Sequence, residues 1–194
     1  MFCSSVESPL GTLTLASDGD CLTGLWMEGQ KHFGASFQLE ACSDLQIFEE
    51  AKRWLKSYFM GCQPSLTFPL RLIGTDFQRA VWQQLQRIPY GSVTTYGDLA
   101  QSLNLSMKSS RAVGMAVGHN PISIIVPCHR VIGANGKVTG FAAGLERKRF
   151  LLQLESLIPD PSLTPYPSPW RGVGGEVGVG GVAFISPSRH RGLL

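Results

Sequence analysis

The sequence predicts an α+β protein, a small mixed unit followed by a helical one, and three observations predict it. Between residues 8 and 27, small or polar residues alternate with apolar ones on both sides of Asp18-Gly19, the pattern of a β-hairpin. Helical spacing takes over in "DLQIFEEAKRWLKSYF", where apolar residues return every three or four positions. From Thr75 onward, three short helical segments follow one another across tight turns, an arrangement of the helix-turn-helix kind.

In the first unit the helix places Leu45, Phe48, Ala51, Leu55, Tyr58 and Phe59 on one face, and a strand from Leu66 to Leu72 is expected to close the domain. Asp18, Asp20 and Asp44 read as turn and cap residues without chemistry. The second unit opens at "GTDFQRAVWQQLQRIPYG". Thr75 and Gln78 fit a capping box, and Phe77, Ala80, Val81, Leu85 and Ile88 form an apolar stripe. Thr95 and Asp98 offer a second capping box ahead of Leu99, Ala100 and Leu103.

The third helical segment, "SSRAVGMAVGHNP", has two distinct faces at about 100° per residue. Val113, Ala116 and Val117 point to the core, whereas Arg111, Gly114, Met115 and Gly118 lie opposite. Glycine inside a helix costs about 0.5–1 kcal/mol relative to alanine, so two on one exposed face need a reason. Either another part of the protein packs closely there, or a nucleic-acid backbone approaches a face with little bulk and one long cation. Such a helix could enter a groove only about 6 Å wide.

Ile122 to Val126 reads as a short buried strand ended by Pro127, which places Cys128 at a rigid strand end. Asn135-Gly136 marks a turn, and "GFAAG" is a small-residue loop with room for a planar ligand. In the helix "LERKRFLLQLESLI", Leu151, Leu152, Leu154, Leu157 and Ile158 form an apolar arc with Glu155 in its middle. A carboxylate aimed inward needs a partner. Two are in view: His129, which Glu155 would orient beside Cys128, or Arg130 in a salt bridge without catalysis. These segments divide the chain into units at 1–73 and 74–158. The tail, 159–194, holds 6 of the 12 prolines and 7 of the 22 glycines without periodicity, a composition that predicts disorder.

The 194 residues, 43% of them hydrophobic, suffice for a buried core. No segment reads as a secretion signal or membrane span, so a cytoplasmic protein is expected. The five cysteines are scattered and form no C-x-x-C pair, which argues for reduced thiols. A net charge of +3 permits nucleic-acid binding through a local patch without requiring it.

Cys128 sits in "IIVPCHRVIG", and three chemistries compete for it. A thiol protease needs its base in direct reach and an oxyanion hole, and neighbours on an extended segment point apart. A zinc site needs more ligands at recognisable spacing than one Cys-His pair. A thiol that accepts a group and keeps it needs neither, provided a water links it to His129. An inert buried cysteine is the fourth possibility.

Over residues 8–158 the chain resembles the O6-alkylguanine-DNA alkyltransferases, through "SPLG", "FQRAVWQQLQRIPYG", "TTYGDLA", "SSRAVGMAVGHNP", "PCHRV" and "GLERKRFLLQLE". The resemblance implies a ribonuclease-H-like first domain and a winged helix-turn-helix second domain. It also implies a monomer that binds double-stranded DNA through the minor groove with the damaged nucleotide flipped out, and that needs no cofactor or metal. The implied activity is single-turnover transfer of an alkyl group from O6-alkylguanine, with O4-alkylthymine as a candidate second substrate.

Carried over residue by residue, the resemblance makes Cys128 the acceptor, His129 and Glu155 a water-linked relay, and Asn120 the brace of the active-site turn. Tyr96 would rotate the nucleotide and bond the base, and Arg111 would fill the vacated stack. The small helix face at Gly114 and Gly118 agrees with that minor-groove contact. The carbonyls of Cys128 and Val131 would read the guanine edge, and the amide of Ala142 would face the substrate oxygen. Phe141 stands where many members have tyrosine and Ala143 where glycine is frequent, so Phe141 can wall the pocket only by stacking. The competing class is a non-catalytic lesion sensor or winged-helix DNA-binding module on the same scaffold, whose mark would be a residue other than cysteine at position 128.

Overall fold

The computed structural model describes residues 1–34, 38–41 and 44–155. The expectation for the 159–194 tail, and those for Leu157 and Ile158, lie outside the described residues.

Alternation makes the first sheet. Strands β2 (Leu13–Ser17) and β3 (Leu22–Met27) form the expected hairpin around Asp18-Gly19. A strand absent from the expectations, β1 (Phe2–Val6), pairs antiparallel with β2, and a two-residue β4 (Glu40–Ala41) pairs parallel with β1, giving the order β3-β2-β1-β4. Helix α1 (Gln46–Phe59) lies on this sheet through Ile47, Phe48, Ala51, Leu55, Tyr58 and Phe59, the expected face with Ile47 added and Leu45 moved to the N-cap.

The expected strand at 66–72 is not formed. Only an isolated bridge joins Leu70 to Leu22, with Leu22 donating to the carbonyl of Pro69 and Arg71 to that of Leu22. The rest of this β3 edge is taken by the other unit: Leu25 donates to the Pro121 carbonyl at 2.8 Å, and Ser123 to that of Leu25 at 2.9 Å. The segment leading to Cys128 is thus hydrogen-bonded to the first unit's sheet.

In the second unit both capping boxes form, Thr75 with Gln78 and Thr95 with Asp98. They start α2 (Asp76–Leu85) and α3 (Tyr96–Ser102), and α4 (Ser110–Gly118) follows a 3₁₀ turn. Helix α4 buries Val113, Ala116 and Val117, as its pattern requires. The stripe of α2 differs from expectation at its start. Phe77 is exposed and Trp82 is buried, because the Trp82 indole donates to the Ala116 carbonyl of α4 at 2.8 Å. Strands β5 (Thr94–Thr95) and β6 (Val131–Ile132) pair in parallel, and α5 (Leu145–Leu154) closes the described chain.

Residues 122–126 are buried but are not a strand. Ile124 has φ 70, a left-handed conformation that is unusual for a β-branched residue. The Asn120 side chain takes over the polar groups that a strand partner would satisfy: Nδ2 donates to the Val126 carbonyl at 2.8 Å and Oδ1 accepts from the Ile122 amide at 3.1 Å. Helix α5 stops at Leu154, so Glu155 is its C-cap rather than a mid-helix residue. It still points inward because Lys148, Leu151, Leu152 and Glu155 share one buried face.

Candidate active site

Cys128 begins a short 3₁₀ turn, Cys128–Arg130, and is not on an extended segment. Its amide donates to the Val126 carbonyl at 2.8 Å and its side chain is buried. Burial pushes the thiol pKa up, while the Asn120 side chain and the charge of Lys148 pull the other way. The thiol therefore rests protonated and needs a base before it becomes a nucleophile.

His129 has no direct hydrogen bond to the Cys128 sulfur among the described residues. Its Nε2 lies 2.9 Å from Oε1 of Glu155, and its Nδ1 is buried without a protein partner. Burial lowers the pKa of His129 against the pull of Glu155, so the imidazole is neutral at rest. Burial alone would raise Glu155, but hydrogen bonds from His129 and then Arg130 hold it down to about 2. An ionised carboxylate only accepts, so Nε2 carries the hydrogen and Nδ1 keeps its lone pair. That lone pair is free to accept a proton.

The two partners considered for Glu155 both occur. Arg130 donates from Nε to Oε2 at 2.8 Å and from Nη2 to Oε1 at 2.9 Å. Two donors were not anticipated: the Tyr58 hydroxyl to Oε1 at 2.7 Å and the Gly91 amide to Oε2 at 3.2 Å. Lys148 was also missed. It is fully buried, and its ammonium donates to the carbonyls of Val131, Thr139 and Gly140. Burial lowers its pKa to about 8. Its signal was in the sequence, seven residues before Glu155 and hence on the same helix face.

A cleft of about 200 Å³ opens onto the thiol, lined by Tyr96, Gly114, Val117, Gly118, Cys128, Gly140, Phe141 and Ala142, with Lys31 and His32 from the loop after β3. Most residues expected in the site therefore surround one opening. Tyr96, its pKa raised by burial to about 12, donates toward the carbonyls of Thr139 and Gly140 at 3.3 Å. The Val131 carbonyl accepts from Lys148, and that of Cys128 from the Val131 amide; Val131 itself does not line the cleft.

The two glycines of α4 separate the explanations for its bare face. A Cβ at Gly114 would touch the Tyr96 ring at 3.6 Å, but a Cβ at Gly118 would meet nothing within 4 Å. Internal packing does not explain Gly118. Arg111 lies exposed in the first turn of α4, outside the cleft, and Met115 at 63% exposure makes the face less bare than its glycines suggest. His32, missed in the sequence, has φ 63 and stacks on His119 with ring centroids 3.9 Å apart.

Fold and site together define a class: a helix-turn-helix protein with a buried Cys-His-Glu array opening beside the end of α4. Family models agree with it over both units. Residues 1–72 match the ribonuclease-like domain of 6-O-methylguanine DNA methyltransferase and residues 76–157 match its DNA-binding domain. The chain belongs to that family. It is 46% identical over 156 residues to the methylated-DNA--protein-cysteine methyltransferase of Methanosarcina acetivorans, covering 80% of this chain and 98% of that one. The Haemophilus influenzae protein of the same name is 44% identical over 151 residues, with 77% and 83% covered. Among solved structures, Mycobacterium tuberculosis OGT in complex with DNA superposes with a TM-score of 0.72 at 44% identity, covering 82% of this chain and 96% of that one.

Four of the five cysteines, Cys3, Cys21, Cys62 and Cys128, are free, and Cys42 lies outside the described residues. Among the described residues no helix is long and apolar enough to cross a membrane.

Proposed function

We propose that this chain repairs alkylated DNA by direct reversal, moving the alkyl group from O6 of guanine to the sulfur of Cys128, once per molecule. The observation that carries this reading is the position of the thiol: it faces the cleft beside Gly118, where the helix surface is open for a reason that packing does not supply. A base in a stacked duplex is out of reach of such a cleft, so the nucleotide must be flipped, at a cost of a few kcal/mol.

The thiol proton passes through a water to Nδ1 of His129, leaving a thiolate and an imidazolium held by Glu155. The thiolate attacks the alkyl carbon, the S–C bond forms and the C–O6 bond breaks. Guanine departs as its anion and regains one proton, which balances the proton that Cys128 lost. The thioether has no hydrolytic partner in the site, so the reaction stops there. Asn120 holds the turn that presents the sulfur, and Tyr96 and Phe141 wall the base. Arg111, free of the cleft, fills the vacated stack.

In this reading units 1–73 and 74–158 act as one cytoplasmic monomer, the first bracing the site and the second meeting the DNA minor groove. Titrating a duplex containing one O6-methylguanine tests the reading. One lesion should disappear per chain and none with Cys128→Ser; repeated turnover, or repair by the serine variant, contradicts it.

A further inference from the structure

Glu155 is wired from both units. Tyr58 comes from α1 of the first unit, is 1% exposed, and donates its hydroxyl hydrogen to Oε1 of Glu155 at 2.7 Å. The Tyr58 hydroxyl oxygen also lies 3.4 Å from Nε2 of His129. Its ring is clamped by Trp54, stacked at 5.4 Å and 8°, and by Tyr90, edge-on at 6.1 Å. A hydroxyl held this way has little freedom to turn.

We propose that Tyr58 is a positioning residue through which the first unit fixes the ring plane of His129 and reinforces the tautomer that Glu155 selects, so that the relay to Cys128 is complete only when both units are docked. Because the Tyr58 hydrogen is spent on Glu155, the oxygen turns a lone pair toward Nε2. Both oxygens near Nε2 then accept, and only the tautomer with hydrogen on Nε2 satisfies them. The lone pair of Nδ1 is thereby kept for the thiol side. Were the hydroxyl absent, Oε1 alone would orient the ring, and it is shared with Nη2 of Arg130 at 2.9 Å.

The groups that face this hydroxyl are Glu155, His129, Arg130 and Tyr90, and beyond them the charge of Lys148 acts on His129 and on Cys128. Burial, and then the charge of Glu155, push the Tyr58 phenol well above its ordinary pKa. It remains a donor wherever the protein is folded.

This inference deepens the proposed function and rests on it only for the purpose of the relay, so its test uses no DNA. Modification of Cys128 by iodoacetamide, followed on its own peptide by mass spectrometry as pH is varied, reads the thiolate directly. With Tyr58→Phe the profile should move about one pH unit to the alkaline side, making reaction at neutral pH about tenfold slower. A merely structural tyrosine would lower the melting temperature and leave the profile in place, and that result overturns the proposal.

If Tyr58→Phe does not fold, proton NMR of the wild-type chain decides. A slowly exchanging Tyr58 hydroxyl proton close to the Nε2 proton of His129 is expected, and a freely exchanging one contradicts the assignment. A shifted profile alongside a wild-type chain that leaves methylated DNA untouched would sink the proposed function while keeping this role of Tyr58.

Discussion

Replacing Glu155 by glutamine changes one oxygen to an NH₂ group and removes one charge, and the surroundings make that small change expensive. Every group facing the carboxylate is a donor: His129 Nε2, the Tyr58 hydroxyl, Arg130 Nε and Nη2, and the Gly91 amide. An amide NH₂ at the Oε2 position meets only the donors Arg130 Nε and the Gly91 amide, and at the Oε1 position it is bonded only if the Tyr58 hydroxyl turns or His129 changes tautomer. Arg130, itself buried, loses one of its two bonds to residue 155 together with the carboxylate's charge, and keeps the Ile88 carbonyl at 2.6 Å. Breaking one side of a buried pair costs about 3–5 kcal/mol, which for a protein of this size lowers the melting temperature by roughly 10 °C.

Urea denaturation of wild type and Glu155→Gln measures the loss. The same carboxylate also predicts acid behaviour. Its pKa falls from the ordinary 4.5 to about 2 on folding, so its contribution is complete above the unfolded value and is lost as pH drops toward 2. That contribution is on the order of 3 kcal/mol. Unfolding curves within about 1 kcal/mol of each other at neutral pH, or equal acid sensitivity in the two proteins, would refute the reasoning.

Arg111→Ala should slow repair of duplex DNA far more than reaction with the free alkylated base, which needs no flipping, and saturating DNA should not restore the duplex rate; equal slowing on both substrates would make Arg111 a structural residue. Gly118→Ala has space for its methyl and gains up to about 0.5–1 kcal/mol of helix stability, so thermal melting should hold or rise while duplex repair falls; unchanged repair would remove Gly118 from the DNA face. Lys148→Met leaves the carbonyls of Val131, Thr139 and Gly140 without their donor and removes a charge that lowers the Cys128 pKa. The pH-rate profile of thiol modification should move to the alkaline side, and an unmoved profile would leave Lys148 as a brace of the loop alone.

What the sequence made legible follows from which interactions are local. The hairpin, both capping boxes and the buried face of α4 depend on residues within a few positions of each other, and each is found as read. The inward aim of Glu155 was legible for the same reason, although its helix ends one residue earlier. The strand expected at 122–126 failed because an apolar run is the same for a strand and for a buried turn, and the Asn120 side chain selected the turn. Tyr58 was read as core, which its ring is. Nothing near it in sequence shows that its hydroxyl meets Glu155, 97 residues away. Lys31 and His32 entered the cleft from the first unit by the same long-range route.

The central claim is that Cys128 takes and keeps the alkyl group, and a mass measurement meets it most directly. The intact chain is incubated with an oligonucleotide carrying O6-methylguanine, weighed, and digested. One methyl per chain, confined to the peptide containing Cys128 and persisting on long incubation, is the predicted result. An unchanged mass, a methyl on another cysteine, or a methyl that is lost again with time would contradict the account.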